Sequence, residues 1–267
     1  MSTTISLAEA PAGTQAVQRV FTVIGALAQL GGDASLAQLQ QSTGLAKSTL
    51  HRMLAALTRN GYAAQSAEGR YRLGHELIHL GTAAARVNPL IAGISESLDR
   101  LAVASEDTVF YTQRQGTLGV CVDRREGTGP IRNFVLHPGD QHPLGIGAGS
   151  LAILAALNPQ EANRVRQANC AAFPADAIIG RCEADGSLER ALTEARRLGY
   201  AINPGMLEPS SWAIAIAIRD ASGRVVGALS IASIQQRLGP ERIPELVRML
   251  RAEAAALNPQ INGKDPA

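Results

Sequence analysis

Five side chains able to grip phosphates or base edges crowd into the short stretch GLAKSTLHRML, Gly44 to Leu54. Lys47 and Arg52 carry positive charge, while Ser48, Thr49 and His51 offer hydrogen-bonding groups. Read as a helix, the stretch puts Leu50, Met53, Leu54 and Leu57 on one side and leaves these five largely on the rest. A helix face turned to water looks the same, so the surroundings decide. From Arg19 to Arg72 there are six bases (Arg19, Lys47, Arg52, Arg59, Arg70 and Arg72) against Asp33 and Glu68, a local excess of four positive charges in a chain that sums to +2. Such polarisation suits a nucleic-acid phosphate backbone.

The loop GIGAGSLAIL offers a different chemistry. Gly145, Gly147 and Gly149 let the backbone approach a ligand closely, and the amides opening a helix near Ala148 point partial positive charge outward, where a carboxylate would sit. A tight turn into a packed helix fits the same letters. A dinucleotide fingerprint does not: it needs glycine where Ser150 stands, inside a βαβ unit.

Other constellations carry less. His137, Asp140 and His142 cluster in HPGDQH, but Pro138 and Gly139 between them mark a turn rather than a metal site. Ser150 lacks the G-x-S-x-G elbow of a nucleophile. Cys121, Cys170 and Cys182 show no CxxC spacing, and Cys121 and Cys182 read as small packed hydrophobes. No catalytic set, metal or cofactor is implied. The first ten residues lack a secretory pattern, and no apolar run nears the roughly 18 residues that span a bilayer, so the reading is a soluble cytoplasmic protein without a membrane partner.

These groups must be held by elements. Apolar residues at Val17, Val20, Phe21, Ile24, Leu27 and Leu30 predict a first helix over Thr14 to Leu30. Ser35, three residues before Gln38, predicts a capped second helix ending at Gly44, and the third helix runs to Asn60-Gly61. A hairpin follows around Glu68-Gly69. Three helices with a tight turn between the last two, then a hairpin, make a winged helix-turn-helix, whose third helix enters a major groove by its N-terminal half. A helix from His75 to about Asn88, closed by Pro89, reads as a linker. Beyond it, helices are expected at Ile94 to Ala104, Ala148 to Leu157, Pro159 to Gln167, Ser187 to Leu198 and about Pro240 to Leu257. Strands are expected in TVFYTQRQGTLGVCVDRRE, IRNFVLHPGD, WAIAIAIRD and RVVGALSIASI. Two groups of antiparallel strands separated by helices give an α+β fold.

GLAKSTLHRML, GRYRLG, HPGDQHPLGIGAGSLAILAAL, RRLGY and SGRVVGALSIASIQQRL, in that order from near Thr14 to near Leu257, resemble the IclR family of bacterial transcriptional regulators. The resemblance implies a winged helix-turn-helix joined by a linker helix to a GAF/profilin-like effector-binding domain with an antiparallel sheet. It also implies homodimers or dimers of dimers on palindromic double-stranded operators near catabolic genes. The expected division is a tail (1–12), a DNA-binding domain (13–75), a linker helix (76–92) and an effector domain (93–262). DNA contacts are expected from Ser35, Lys47, Ser48, Thr49, His51, Arg52, Arg70 and Arg72. In the family the glycine loop gives backbone amides to the carboxylate of a small acid; the matching positions are Gly147 and Ala148, with His142 near the pocket mouth. An Asp and a Cys of well-known members fall at Asn203 and Ala213, a departure that argues against the small 2-oxo acids those members bind. Ser211 and Trp212 are expected to shape a larger ligand, aromatic acids included, although Trp212 suits a core or interface position equally. Two rival readings stay open: an enzyme holding a substrate carboxylate, and a sensor working through protein partners. Salt-dependent, sequence-selective DNA binding separates them from a regulator.

Overall fold

The apolar spacing near the N-terminus forms α1 (Gln15–Gln29), which buries Val23, Ala26 and Leu27 but leaves Phe21 62% exposed. The computed structural model describes residues 13–31, 33–86, 89–129, 135–220 and 222–261. Contacts divide the chain into two compact units, 1–87 and 88–267.

In the first unit, α1 packs with α2 (Leu36–Thr43) and α3 (Lys47–Arg59) around Leu27, Leu39, Leu50 and Leu54, none of them accessible. The sharp bend between α2 and α3 falls at Gly44, whose φ of 66° lies where a side chain would be strained. β1 (Ala63–Gln65) and β2 (Tyr71–Leu73) form the hairpin, and Ala34 adds a bridge to Tyr71, so the wing is tied to the segment before α2. α4 (Glu76–Arg86) follows.

The second unit is built on one six-stranded antiparallel sheet. Its strands are β3 (Thr108–Gln115), β4 (Leu118–Arg125), β5 (Gln141–Pro143), β6 (Ala201–Pro204), β7 (Ser211–Arg219) and β8 (Val225–Ile234), in the order β5-β4-β3-β8-β7-β6. The strand β7 explains the layering. Trp212, Ile214, Ile216 and Ile218 alternate with Ser211, Ala213, Ala215 and Ala217, so one face is bulky and the other small. The bulky face packs against α5 (Pro89–Ser105) and α10 (Ile243–Ile261) through Leu98, Leu101, Leu246 and Leu250. The small face lets α6 (Ala148–Ala156) lie close, with α9 (Ser187–Leu198) behind it. α7 (Pro159–Ala172) and α8 (Ile178–Ala184) complete this side.

Three expectations change. Pro89 opens α5 instead of ending a linker: proline's missing N–H is no loss in a first helical turn, so the helix starts five residues before Ile94. The stretch 76–92 thus holds α4, two residues outside the described set and the start of α5. Of the strand expected in IRNFVLHPGD, residues 131–134 lie outside the described residues and 135–140 form a bend and turn, followed by β5.

Candidate functional site

Leu50, Leu54 and Leu57 hold one side of α3 in the core and thereby fix what the other side presents. Lys47, Ser48, His51 and Arg52 are exposed and Thr49 is half-buried. Lys47 and Arg52 form no ion pair with a described residue. The α3 N-terminus has Ala46 at its cap and no capping side chain, so its first-turn amides are open to an anion. At α2 the arrangement is the reverse. Ser35 Oγ accepts from Gln38 N (3.2 Å) while Gln38 Oε1 accepts from Ser35 N (2.9 Å). Ser35 Oγ therefore spends one of its two lone pairs on the helix end.

The two wing arginines differ as well. Arg72 is exposed, with no ion pair to a described residue. Arg70 Nε lies 2.6 Å from Asp33 Oδ2, and its guanidinium also donates to the Asp33 carbonyl, so its charge is partly spent within the domain.

In the second unit a pocket lies between α6 and the small face of the sheet, with about 520 Å³ of non-atom space that includes open solvent. Gly147 caps α6 with φ 81°, and a Cβ there would stand 3.1 Å from Leu207 Cδ1. No side chain caps α6, so its first amides, at Ala148 and beyond, are free of intrahelical partners where the helix meets the cavity. His142, Asn203, Ser211 and Ala213 line the same space. Asn203 Oδ1 accepts from Met206 N (2.9 Å), which fixes the amide's orientation. His142 Nε2 is buried without a hydrogen-bond partner. Burial holds the imidazole below its ordinary 6.5, with the nearby Asp140 pulling the other way, so it is a neutral group at pH 7. Among the described lining residues none is Asp, Glu, Lys or Arg. The positive end of α6 is the feature there that attracts an anion.

Trp212 is a correction. It pairs with Ser233 and packs against the α5/α10 layer, away from the cavity, because strand alternation sends it to the face opposite Ser211 and Ala213. The lining hydroxyls of Thr112 and Ser230 escaped sequence reasoning, and Cys121, read from the sequence as a packed hydrophobe, borders the same space. Period-two patterning pairs them with neighbours of like orientation but does not say which sheet face is hollow. Burial pushes the Cys121 thiol up to about 12, which makes it a neutral wall group. In HPGDQH, Asp140 Oδ2 accepts from His137 N at 2.7 Å, closing a turn.

Comparison with known proteins follows the same division. A model of the IclR helix-turn-helix domain matches residues 16–67, and a model of the bacterial transcriptional regulator IclR C-terminal domain matches residues 82–258. The chain is 33% identical to the glycerol operon regulatory protein of Streptomyces coelicolor over 259 residues, covering 91% of this chain and 95% of that one. Among solved structures, an IclR-type regulator from Alicyclobacillus acidocaldarius superposes with TM-score 0.80 at 24% identity, over 92% of this chain and 98% of that one. An IclR homologue from Microbacterium hydrocarbonoxydans, complexed with 4-hydroxybenzoate, gives 0.75 at 20% identity, over 94% and 100%.

Proposed function

Because the chain belongs to the IclR family of DNA-binding transcriptional regulators, we propose that it is a ligand-responsive homodimeric regulator in the cytoplasm. It controls catabolic genes by reading a palindromic operator through α3, with a small organic acid as its effector. The observation that carries the effector reading is the uncapped start of α6, opening into a cavity whose described walls bear no charged side chain. A carboxylate placed there gains the helix-end amides and meets no acid. Lys47, Ser48, Thr49, His51, Arg52 and Arg72 are assigned to DNA, with Arg70 and Ser35 mainly holding the domain together. The apolar Val17 and Phe21 of α1 and Ile78 and Leu80 of α4 stand exposed, which supports a partner copy covering this first unit. The acid regulates only by binding the DNA-competent and DNA-incompetent arrangements unequally.

The test compares carboxylic acids with their neutral amides by thermal shift and calorimetry. Acids should bind and amides should not, and Ala148→Pro should weaken the acids at least tenfold. Proline is well placed for such a test, since it removes one amide at the first helical position and Gly147 already has the extended ψ of 155° that a residue before proline adopts. Equal binding of acid and amide by the wild type, or undiminished acid binding by a folded Ala148→Pro protein, would overturn the assignment.

A further inference from the structure

The cavity has more hydrogen-bonding capacity than a carboxylate can use. Thr112 on β3, Ser230 on β8 and Ser150 in the first turn of α6 are each 5% exposed, line the cavity, and make no side-chain hydrogen bond to a described residue. They converge from two layers. A Cβ on Gly119 would stand 2.3 Å from Ser150 Oγ and 2.9 Å from Thr112 Cγ2, and one on Gly149 would stand 2.5 Å from Thr112 Oγ1. Glycine at both positions is what lets Ser150 and Thr112 approach each other across the two layers. His142 Nε2 adds a buried nitrogen without a partner. Among the described lining residues the aromatic rings are Phe110 and His142, of which one is apolar. Buried polar groups left unpaired weigh against the bound state, so the ligand must return hydrogen bonds to this wall.

We propose that the effector is a polyhydroxylated aliphatic acid, its carboxylate at the α6 N-terminus and its hydroxyls on Thr112, Ser150 and Ser230. Ser150 lies two residues beyond Ala148, so a hydroxyl close to the carboxylate meets it first. Thr112 and Ser230 lie on adjacent strands, where Thr112 is opposite Ala228, and receive hydroxyls further along the chain. An unsubstituted or aromatic acid of the same length would fill the space but leave the three hydroxyls unpaired. This inference rests on the small-acid reading and names the class of acid.

The test uses the full-length protein. D-glycerate, threonate, xylonate, gluconate and galactonate are measured by calorimetry beside the unsubstituted acids of equal length and 4-hydroxybenzoate. At least one hydroxy acid should bind tenfold or more tightly than its unsubstituted counterpart and than 4-hydroxybenzoate. Thr112→Val, Ser150→Ala and Ser230→Ala should each weaken that acid roughly threefold to tenfold while leaving the unsubstituted acid unaffected. Melting without ligand confirms that each variant is folded. If an unsubstituted or aromatic acid binds as tightly as any hydroxy acid, or the three variants keep full affinity for it, the inference falls and the small-acid reading stands. If no acid of any class binds, both fall.

Discussion

Arg52 and Arg70 bear the same charge and do different work. Arg52 stands exposed on α3 with no ion pair to a described residue, whereas Arg70 is held by the side chain and carbonyl of Asp33. Arg52→Ala is expected to lower operator affinity at least tenfold without altering the melt, since a guanidinium on a base edge contributes about 1–3 kcal/mol of discrimination. Arg70→Ala should cost less in binding and loosen the wing from the segment before α2; gel shifts and melts of the two variants check the contrast. His142 gives a pH signature. Its folded pKa lies below 6.5, so as pH falls below that value the unfolded chain takes up a proton that the folded chain refuses, and stability is lost; above it both states are neutral and the contribution is intact. Between about pH 7 and about pH 5.5 the wild type should lose more stability than His142→Gln, and parallel slopes would contradict this. The residues of α3 were legible in the sequence because leucine spacing fixes what a helix turns outward. Trp212 and Thr112 were not, because strand alternation sorts residues into two sets without saying which set borders a hollow.

Elements were legible in proportion to their length and punctuation. The helix α9 spans Ser187–Leu198 as its pattern predicts, with Gly199 ending it in the left-handed region, and α2 carries the capping box its Ser-x-x-Gln spacing implies. The strands β5 and β6, at three and four residues, and the seven-residue α8 are too short to show a period, and none was expected. The start of α5 was misplaced because proline ends one helix as readily as it begins another. Two substitutions test the local accounts. Ser35→Ala removes the acceptor at the α2 cap and should cost about 1 kcal/mol in chemical denaturation, with little loss of operator binding; a large binding loss at unchanged stability would make Ser35 a DNA contact instead. Gly149→Ala puts a methyl 2.5 Å from Thr112 Oγ1, so α6 must shift from the sheet, and ligand affinity should fall more than stability does.

At the scale of the molecule, bases outnumber acids in the small N-terminal unit of a near-neutral chain, while the cavity of the second unit has no charged side chain among its described lining residues. One unit is suited to a polyanion and the other to a small anion that hydrogen bonds can hold. Phe21→Ser should weaken self-association in sedimentation, because a 62% exposed ring on α1 has no reason to persist unless a partner covers it. The central claim is that the outward flank of α3 reads duplex DNA. Its most direct test is an anisotropy titration, over a series of salt concentrations, of an operator selected from random duplexes and of its scrambled counterpart, comparing wild type with Lys47→Ala and Arg52→Ala. The wild type should prefer the operator with an affinity that falls steeply with salt; Lys47→Ala should flatten that slope and Arg52→Ala should lose most of the preference. Folded variants that bind the operator as tightly, as selectively and with the same salt slope as the wild type would contradict the account.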